Sequence, residues 1–291
     1  MILWGLFKKV VIADRLALLV NPVYNNLPSY DGWQILTATY LFAIQIYCDF
    51  SGYSDIAVGT AKIMGIDLMV NFKTPYFSKN ISEFWKRWHI SLSSWFKDYL
   101  YISLGGNRTS KFNWLRNLLI VFIISGLWHG ANWTFIVWGG LHGFYLVFAI
   151  LINKPKKWMK KTLRIKEGSF IDKIQSIFIT FNLACFAWIF FRANTVSDGI
   201  LVIKKIGFAF KELSPKWFYL KDFSKIIIDQ VMQISVLSTL LIFALLLIER
   251  KFDALNARFS LRKNYLYFIS LILIIIVLGQ SNKEQFIYFQ F

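Results

Sequence analysis

The chain contains 291 residues, of which 56% are hydrophobic and 19% aromatic, and it carries a formal net charge of +17. A mean hydropathy of +0.49 is too high for a soluble domain of this length and indicates an integral membrane protein. The apolar runs have the length of helices and lack the alternation of barrel strands. The sequence therefore predicts an all-α, multispanning transmembrane helical bundle with interfacial or re-entrant amphipathic helices.

The excess positive charge points to the lipid bilayer as a partner and not to nucleic acid. Lys and Arg lie mostly between and beside the apolar runs, where the positive-inside bias and anionic headgroups account for them. The two cysteines, Cys48 and Cys185, stand in apolar surroundings, so we predict buried thiols and no disulfide framework or zinc site.

The first apolar segment, Ile2 to Val20, is interrupted by charges and is predicted to pack inside a bundle. A signal peptide carries its positive charges before its apolar core, whereas Lys8 and Lys9 fall within this segment. Together with Asp14 and Arg15, they would be stranded if the helix faced lipid on all sides.

The next apolar run, Gly32 to Cys48, continues with helical periodicity to Met64. Asp49 and Asp55 lie in this continuation and predict a broken or kinked point in the helix, near the interface or facing the bundle interior. Pairing with Lys or Arg is favoured over catalysis for both carboxylates.

From Asn71 to Asn107 the sequence becomes a mixture of aromatic and basic residues, which predicts helices lying in the membrane interface.

The central stretch, Asn117 to Asn153, contains no Lys, Arg, Asp or Glu but two of the three histidines, His129 and His142. Because about 20 helical residues cross the hydrocarbon core, this length predicts two crossings joined by a tight turn. We place the turn at His129, where Gly126 and Gly130 permit bending and close approach. An ionisable ring at membrane depth is a functional-site candidate.

The remaining segments predict the topology of the chain. The basic loop Lys154 to Lys166 is expected in the cytoplasm. After it come an outward span, Ile174 to Phe191, and an amphipathic stretch on the outer side, Lys204 to Lys221. Two further spans follow, Gln230 to Ile248 and Asn264 to Asn282, and the basic loop Arg250 to Lys263 lies between them. This order places the C-terminus outside.

The histidines support two kinds of interpretation. A neutral imidazole at position 129 can act as a general base, or it can donate one hydrogen bond inside a polar pocket, and the residues alone leave both open. On one straight helix His129 and His142 would stand about 220° apart, which disfavours a metal site and makes His142 a pocket-lining or packing residue. For His89, headgroup anchoring competes with a role at a cytoplasmic mouth.

Several motifs together resemble the membrane-bound O-acyltransferase family, and within it the bacterial alginate O-acetylation branch. They are CDFSGYSD at Cys48 to Asp55, EFWKRWHISLS at Glu83 to Ser93, LGGNR at Leu104 to Arg108, WHGA at Trp128 to Ala131, Trp138-Gly139 and His142-Gly143. The resemblance covers essentially all of residues 1–291, which implies a single membrane O-acyltransferase domain. Family members are usually longer, so the chain is expected to correspond to the C-terminal two-thirds of such a domain.

The resemblance implies two catalytic positions, with His129 as the catalytic histidine and His89 as a second important histidine near the cytoplasmic side of a passage. It also implies transfer of an acyl group, usually acetyl, to hydroxyls of an envelope or extracellular polysaccharide such as alginate. The expected donor is acetyl-CoA or another acyl thioester on the cytoplasmic side, with no permanently bound cofactor and no metal. A bacterial cytoplasmic (inner) membrane location and a periplasmic or surface acetyltransferase partner follow from the same resemblance.

Other functions stay open at this point. Related family members would transfer D-alanine to teichoic acid or acetyl groups to peptidoglycan, and a transporter with an intramembrane proton relay belongs to a different class. A transporter would show acidic residues within its spans and paired repeats, and neither is evident in the sequence. For an acyltransferase, we expect Trp128, Asn132 and Trp133 to wall the pocket, and Trp85 and Arg87 to shape the cytoplasmic mouth.

Overall fold

The computed structural model describes residues 1–153, 166–213 and 261–280, together with positions 155, 162, 242 and 245. Every regular element within these residues is helical, which confirms the all-α prediction. The α-helices are α1 (Ile2–Leu6), α2 (Asp14–Asn25), α3 (Gly32–Ile63), α4 (Ile81–Trp85), α5 (Ile90–Trp95), α6 (Lys111–His129), α7 (Trp133–Leu151), α8 (Phe170–Arg192), α9 (Val196–Leu213) and α10 (Leu261–Leu278). Both predicted basic loops, the span Gln230 to Ile248 and the C-terminal end lie largely outside the described residues.

The chain divides into two compact units, one formed by Met1–Val70 and Ser197–Phe291 and the other by Asn71–Val196. In the first unit a π-helix, Phe7–Ala13, joins α1 to α2, and this segment packs along α3. A Cβ atom at Gly5 would lie 2.5 Å from the carbonyl oxygen of Gly52, so the two backbones approach closely. The absence of side chains at Gly5 and Gly52 permits this contact.

Helix α3 starts at a capping box and runs without interruption for 32 residues. The Asp31 carboxylate accepts hydrogen bonds from the backbone N–H groups of Trp33 and Gln34, and the Gln34 side chain accepts one from the Asp31 backbone. The helix is therefore not broken at Asp49 or Asp55. Both carboxylates face cationic partners, so the helix needs no break to accommodate them.

Those partners come from the interrupted N-terminal segment. The Lys9 ammonium lies 2.6 Å from Asp49 and 2.7 Å from Asp14, while the Lys8 ammonium lies 2.7 Å from Asp55. Lys8 and Lys9 are buried, at 2% and 7% relative exposure. The prediction that this segment packs against other helices is confirmed.

Two of the described helices, α7 and α8, have the length and apolar composition needed to cross a membrane. Helix α7 forms the second half of the central stretch, and α8 contains the predicted span Ile174 to Phe191. Helix α6 does not meet the same criterion. Its first turns include Asn113, Arg116 and Asn117, which dilute its apolar run.

Helices α6 and α7 form an antiparallel hairpin with glycines at the points of contact. A Cβ atom at Gly126 would lie 2.3 Å from the carbonyl oxygen of Phe135, and one at Gly139 would lie 2.2 Å from that of Phe122. The two backbones thus approach more closely than any side chain would allow. This packing places the end of α6, and with it His129, against α7.

Replacing Gly139 with alanine should force the hairpin apart and destabilise the protein by about 1–3 kcal/mol, because the new methyl group would meet backbone atoms. Gly140 is a matched control, since a Cβ atom there meets nothing within 4 Å. Its replacement by alanine should be neutral or stabilising by up to about 1 kcal/mol. Thermal unfolding of both purified variants in detergent measures the difference, and equal melting temperatures would contradict the packing argument.

Candidate functional site

His129 is the last residue of α6, at the predicted turn in the central stretch. Gly130 ends the helix at φ +154°, and a Cβ atom there would lie 2.9 Å from the Phe135 ring. Asn132 then caps α7, because its side chain accepts a hydrogen bond from the backbone N–H of Thr134 at 3.0 Å. The Asn132 side chain also donates to the carbonyl oxygen of Asn194 at 3.1 Å. The turn that carries His129 is therefore fixed by a cap and by a long-range hydrogen bond.

Aromatic rings enclose the His129 side chain, which is only 8% exposed. The Trp138 ring lies 5.0 Å from the imidazole between ring centroids, and the Phe191 ring lies at 5.3 Å, both edge-on. The Trp128 ring lies at 5.1 Å but is itself 56% exposed. His129 thus has a buried side formed by α7 and α8 and an open side at Trp128.

His142 contacts the same tryptophan. Its ring centroid is 5.2 Å from that of Trp138, and the imidazole is fully buried. The indole N–H of Trp85 points to His142 Nδ1 at 3.3 Å. Because Nδ1 accepts this bond, the ring proton belongs on Nε2. His142 therefore ties α4 to α7 and packs against Trp138, which agrees with its predicted packing role.

His89 stands between α4 and α5 in a strained backbone conformation, with φ +44° and ψ +58°. Only glycine adopts this left-handed region without cost, so the surrounding contacts must hold the residue in place. The backbone of Asn71 accepts a hydrogen bond from Ile90 N–H, and the Asn71 side chain accepts one from Ser91 N–H. Next to it Trp88 is buried and stacks on Phe84 at 5.6 Å.

Burial lowers the pKa of His89 to about 4. The ring is therefore neutral at physiological pH, which is the form that can accept a proton or a hydrogen bond. Its Nδ1 atom lies 3.4 Å from the Ser91 hydroxyl. A positive charge on His89 would be felt at His129, so the two rings are electrostatically coupled. The second compact unit thus brings the two predicted catalytic histidines into one neighbourhood.

The other predicted site residues have different positions. Arg87 pairs with Glu83 at 2.8 Å one helical turn away, and it also reaches the Thr74 hydroxyl at 3.4 Å. Trp133 is 72% exposed at the start of α7. Asn132 shapes the turn as a helix cap. Of the predicted pocket walls, Trp128 alone has a described ring contact with His129.

Sequence reasoning missed Trp138 and Phe191, the rings that form the buried side of the His129 enclosure. Trp138 and His142 are four residues apart on α7 and therefore share a helix face, a spacing that was available from the sequence. The straight-helix angle between His129 and His142 does not apply, because the chain turns back after His129 as predicted. As a result Trp138 contacts both imidazoles.

Comparison with known proteins adds the family context. A model of the membrane-bound O-acyltransferase family matches residues 21–190, more than half of the chain and the whole region around the three histidines. The chain is 44% identical over 202 residues to a probable alginate O-acetylase of Pseudomonas aeruginosa, covering 66% of this chain and 35% of that protein. It is 42% identical over 200 residues to a peptidoglycan O-acetyltransferase of Helicobacter pylori, covering 69% of this chain and 36% of the relative.

A more distant relative is the teichoic acid D-alanyltransferase of Bacillus subtilis, which is 36% identical over 180 residues. That alignment covers 58% of this chain and 44% of the relative. The chain spans little more than a third of the length of the two relatives with the higher identity.

Proposed function

Because the chain belongs to the membrane-bound O-acyltransferase family, we propose that it transfers an acyl group, and specifically acetyl, to hydroxyl groups of a polysaccharide. The observation that carries this proposal is the burial of His129 at a fixed helix end, within the matched region and in the same compact unit as His89. The transporter alternative has no support from the three relatives described above, which are named as an O-acetylase, an O-acetyltransferase and a D-alanyltransferase.

His129 acts as the general base in this proposal. Its neutral imidazole takes the proton of an acceptor hydroxyl, and the hydroxyl oxygen attacks the carbonyl carbon of an acyl thioester. The new C–O bond forms as the C–S bond breaks, and the imidazolium returns the proton to the departing thiolate. The apolar walls formed by Trp138 and Phe191 keep water away from the thioester and so suppress its hydrolysis. No metal and no permanently bound cofactor is required for this reaction.

His89 assists on the donor side. Its neutral ring can accept or orient a hydrogen bond from the donor, and its strained backbone is the kind of conformation that functional sites retain. We propose that acetyl-CoA or another cytoplasmic acyl thioester approaches from this side and that the acceptor approaches from the opposite face of the membrane. The chain would then be a multi-pass protein of a bacterial cytoplasmic membrane.

The acceptor is assigned to the cell envelope or extracellular polysaccharide class, with alginate as the first candidate. The identities to the alginate and peptidoglycan relatives differ by only two percentage points, 44% against 42%, so acetylated peptidoglycan is the direct competitor. The lower identity to the D-alanyltransferase, 36%, disfavours transfer of D-alanine. A periplasmic or surface acetyltransferase partner, and a single O-acyltransferase domain over residues 1–291, complete the proposal.

Deletion of the gene and complementation with the full-length protein test the function. Mild base releases ester-linked acetate, which is quantified separately from purified exopolysaccharide and from purified peptidoglycan. Loss of acetate from the exopolysaccharide alone supports the proposal. Loss from the peptidoglycan alone moves the acceptor to the competing class, and loss of D-alanine from teichoic acid with both acetate pools unchanged would refute acetyl transfer.

Two substitutions of His89 distinguish the contribution of its ring from the contribution of its strained backbone. His89→Gly removes the imidazole and relieves the left-handed strain, so the protein should gain about 1 kcal/mol of stability while acyl transfer falls. His89→Ala keeps the strain and also lacks the ring, so it should transfer as poorly and melt at a lower temperature. Acetate release and thermal unfolding are measured on both variants. Normal transfer by His89→Gly would limit His89 to a structural role.

A further inference from the structure

A cavity of about 570 Å³ lies in the second unit, beside the aromatic enclosure of His129. Its walls come from α4, α5, α6, α7 and the π-helix Phe96–Tyr101. The apolar lining includes Ile90, Leu92, Phe96, Leu118, Val121 and Phe122. The volume falls within the range of about 300–1,000 Å³ that is usual for ligand sites. We call this cavity the lysine-rimmed groove, because Lys86 and Lys97 also line it.

The charge of the groove is positive. Lys86 makes no ion pair among the described residues, and no Asp or Glu is found in the described lining. The Lys97 ammonium lies 3.6 Å from its neighbour Asp98, but these two side chains are 68% and 56% exposed. An exposed pair of this kind is stabilised very little by the contact, so Lys97 remains available to an anion.

The rings beside the rim indicate its depth in the membrane. Trp95 is 51% exposed and Tyr99 is 68% exposed, and their centroids lie 5.3 Å apart just before and after Lys97 in the chain. Exposed Trp and Tyr rings together with Lys side chains are typical of the headgroup level of a bilayer. The two ammonium groups therefore stand where lipid phosphates lie.

The larger part of the groove wall is apolar, although the hydroxyl groups of Ser82, Ser93, Ser94, Tyr101 and Ser125 also line it. An acyl chain can pack against the apolar side chains without needing hydrogen-bond partners of its own. An anionic head with an apolar tail therefore complements both the lysines of the rim and the apolar walls.

We propose that the lysine-rimmed groove binds an anionic phospholipid of the bilayer, with the phosphate between Lys86 and Lys97 and an acyl chain against α6. The groove adjoins the histidine site through two residues of its lining. Ser125 lies one helical turn before His129, and Trp85 donates the hydrogen bond to His142. The bound lipid would thus support both helices of the hairpin, and its binding can be measured whether or not the protein transfers acyl groups.

Native mass spectrometry of the full-length protein in detergent tests this site, with phosphatidylglycerol and phosphatidylcholine as probes. The double variant Lys86→Gln/Lys97→Gln should bind phosphatidylglycerol roughly 30-fold more weakly, because each lysine near the surface contributes about 1 kcal/mol toward an anionic lipid. Both side chains are exposed, so the fold should be unaffected. Lys73→Gln/Lys79→Gln removes the same charge from exposed positions outside the groove and should bind as the unchanged protein does.

A third variant tests the apolar part. Leu118→Trp fills the groove and should weaken the binding of both lipids, with an unchanged melting temperature showing that the fold is retained. Equal affinity of the unchanged protein for phosphatidylglycerol and phosphatidylcholine would overturn the proposal. An equal loss in the Lys73/Lys79 control would do the same, because it would show nonspecific attraction. Displacement of bound phosphatidylglycerol by coenzyme A would reassign the groove to a soluble phosphate ligand.

Discussion

Replacing His129 with alanine is expected to abolish acyl transfer in the full-length protein, with a loss of roughly 10²- to 10⁴-fold if the imidazole is the general base. The side chain lies at a helix end that Gly130 and the Asn132 cap determine independently, so the turn should survive its removal. The measurement is ester-linked acetate on the polymer, normalised to the amount of protein in the membrane.

Two further variants distinguish chemistry from packing. His129→Gln retains a hydrogen-bonding side chain of similar size but cannot accept a proton at neutral pH, so it should be as inactive as the alanine variant. His142→Ala empties a fully buried position between α4 and α7 and should act mainly through reduced stability and abundance. Near-normal transfer by a well-expressed His129→Ala protein would disprove the mechanism. If His142→Ala lost the same activity at normal abundance, the chemistry could not be assigned to His129 alone.

The sequence was sufficient to predict the hairpin around His129. The absence of charge over Asn117 to Asn153 and the two glycines beside His129 predicted a pair of helices with a break between them, and the structure has α6, a three-residue turn and α7 in that order. This prediction succeeded because a local pattern, glycine next to a polar cap, determines where a helix ends.

Features that depend on contacts between distant segments of the chain were harder to predict from the sequence. Trp138 and Phe191 reach His129 from two different helices, and only the packing of α7 and α8 brings them together. The left-handed backbone of His89 has no signal in its own sequence, since it depends on hydrogen bonds to Asn71, which is 18 residues earlier. Asp49 and Asp55 misled the analysis of α3 for a related reason. A carboxylate in an apolar helix suggests a break unless its cationic partner in another segment is known.

The cationic partner of Asp49 is Lys9, and replacing Lys9 is the second substitution from which we expect a large effect. Its ammonium lies between Asp14 and Asp49, and the three side chains are at most 8% exposed. Lys9→Met would leave two buried carboxylates without their shared counter-charge. Removing one member of such a buried network destabilises a protein by about 3–5 kcal/mol, because the remaining charge stays desolvated. We therefore expect little folded protein in the membrane, or a melting temperature far below that of the unchanged protein.

A charge-matched rescue tests this cause directly. Asp14→Asn and Asp49→Asn, added to Lys9→Met, remove the unpaired charges and should recover most of the lost stability, because neutral groups of the same shape are far less costly to bury. Lys8→Met is the comparison variant. It should cost less, since its partner Asp55 is 22% exposed and can be solvated when the lysine is gone. If the triple variant were as unstable as Lys9→Met alone, the loss would come from the packing of the lysine side chain and not from the buried charges.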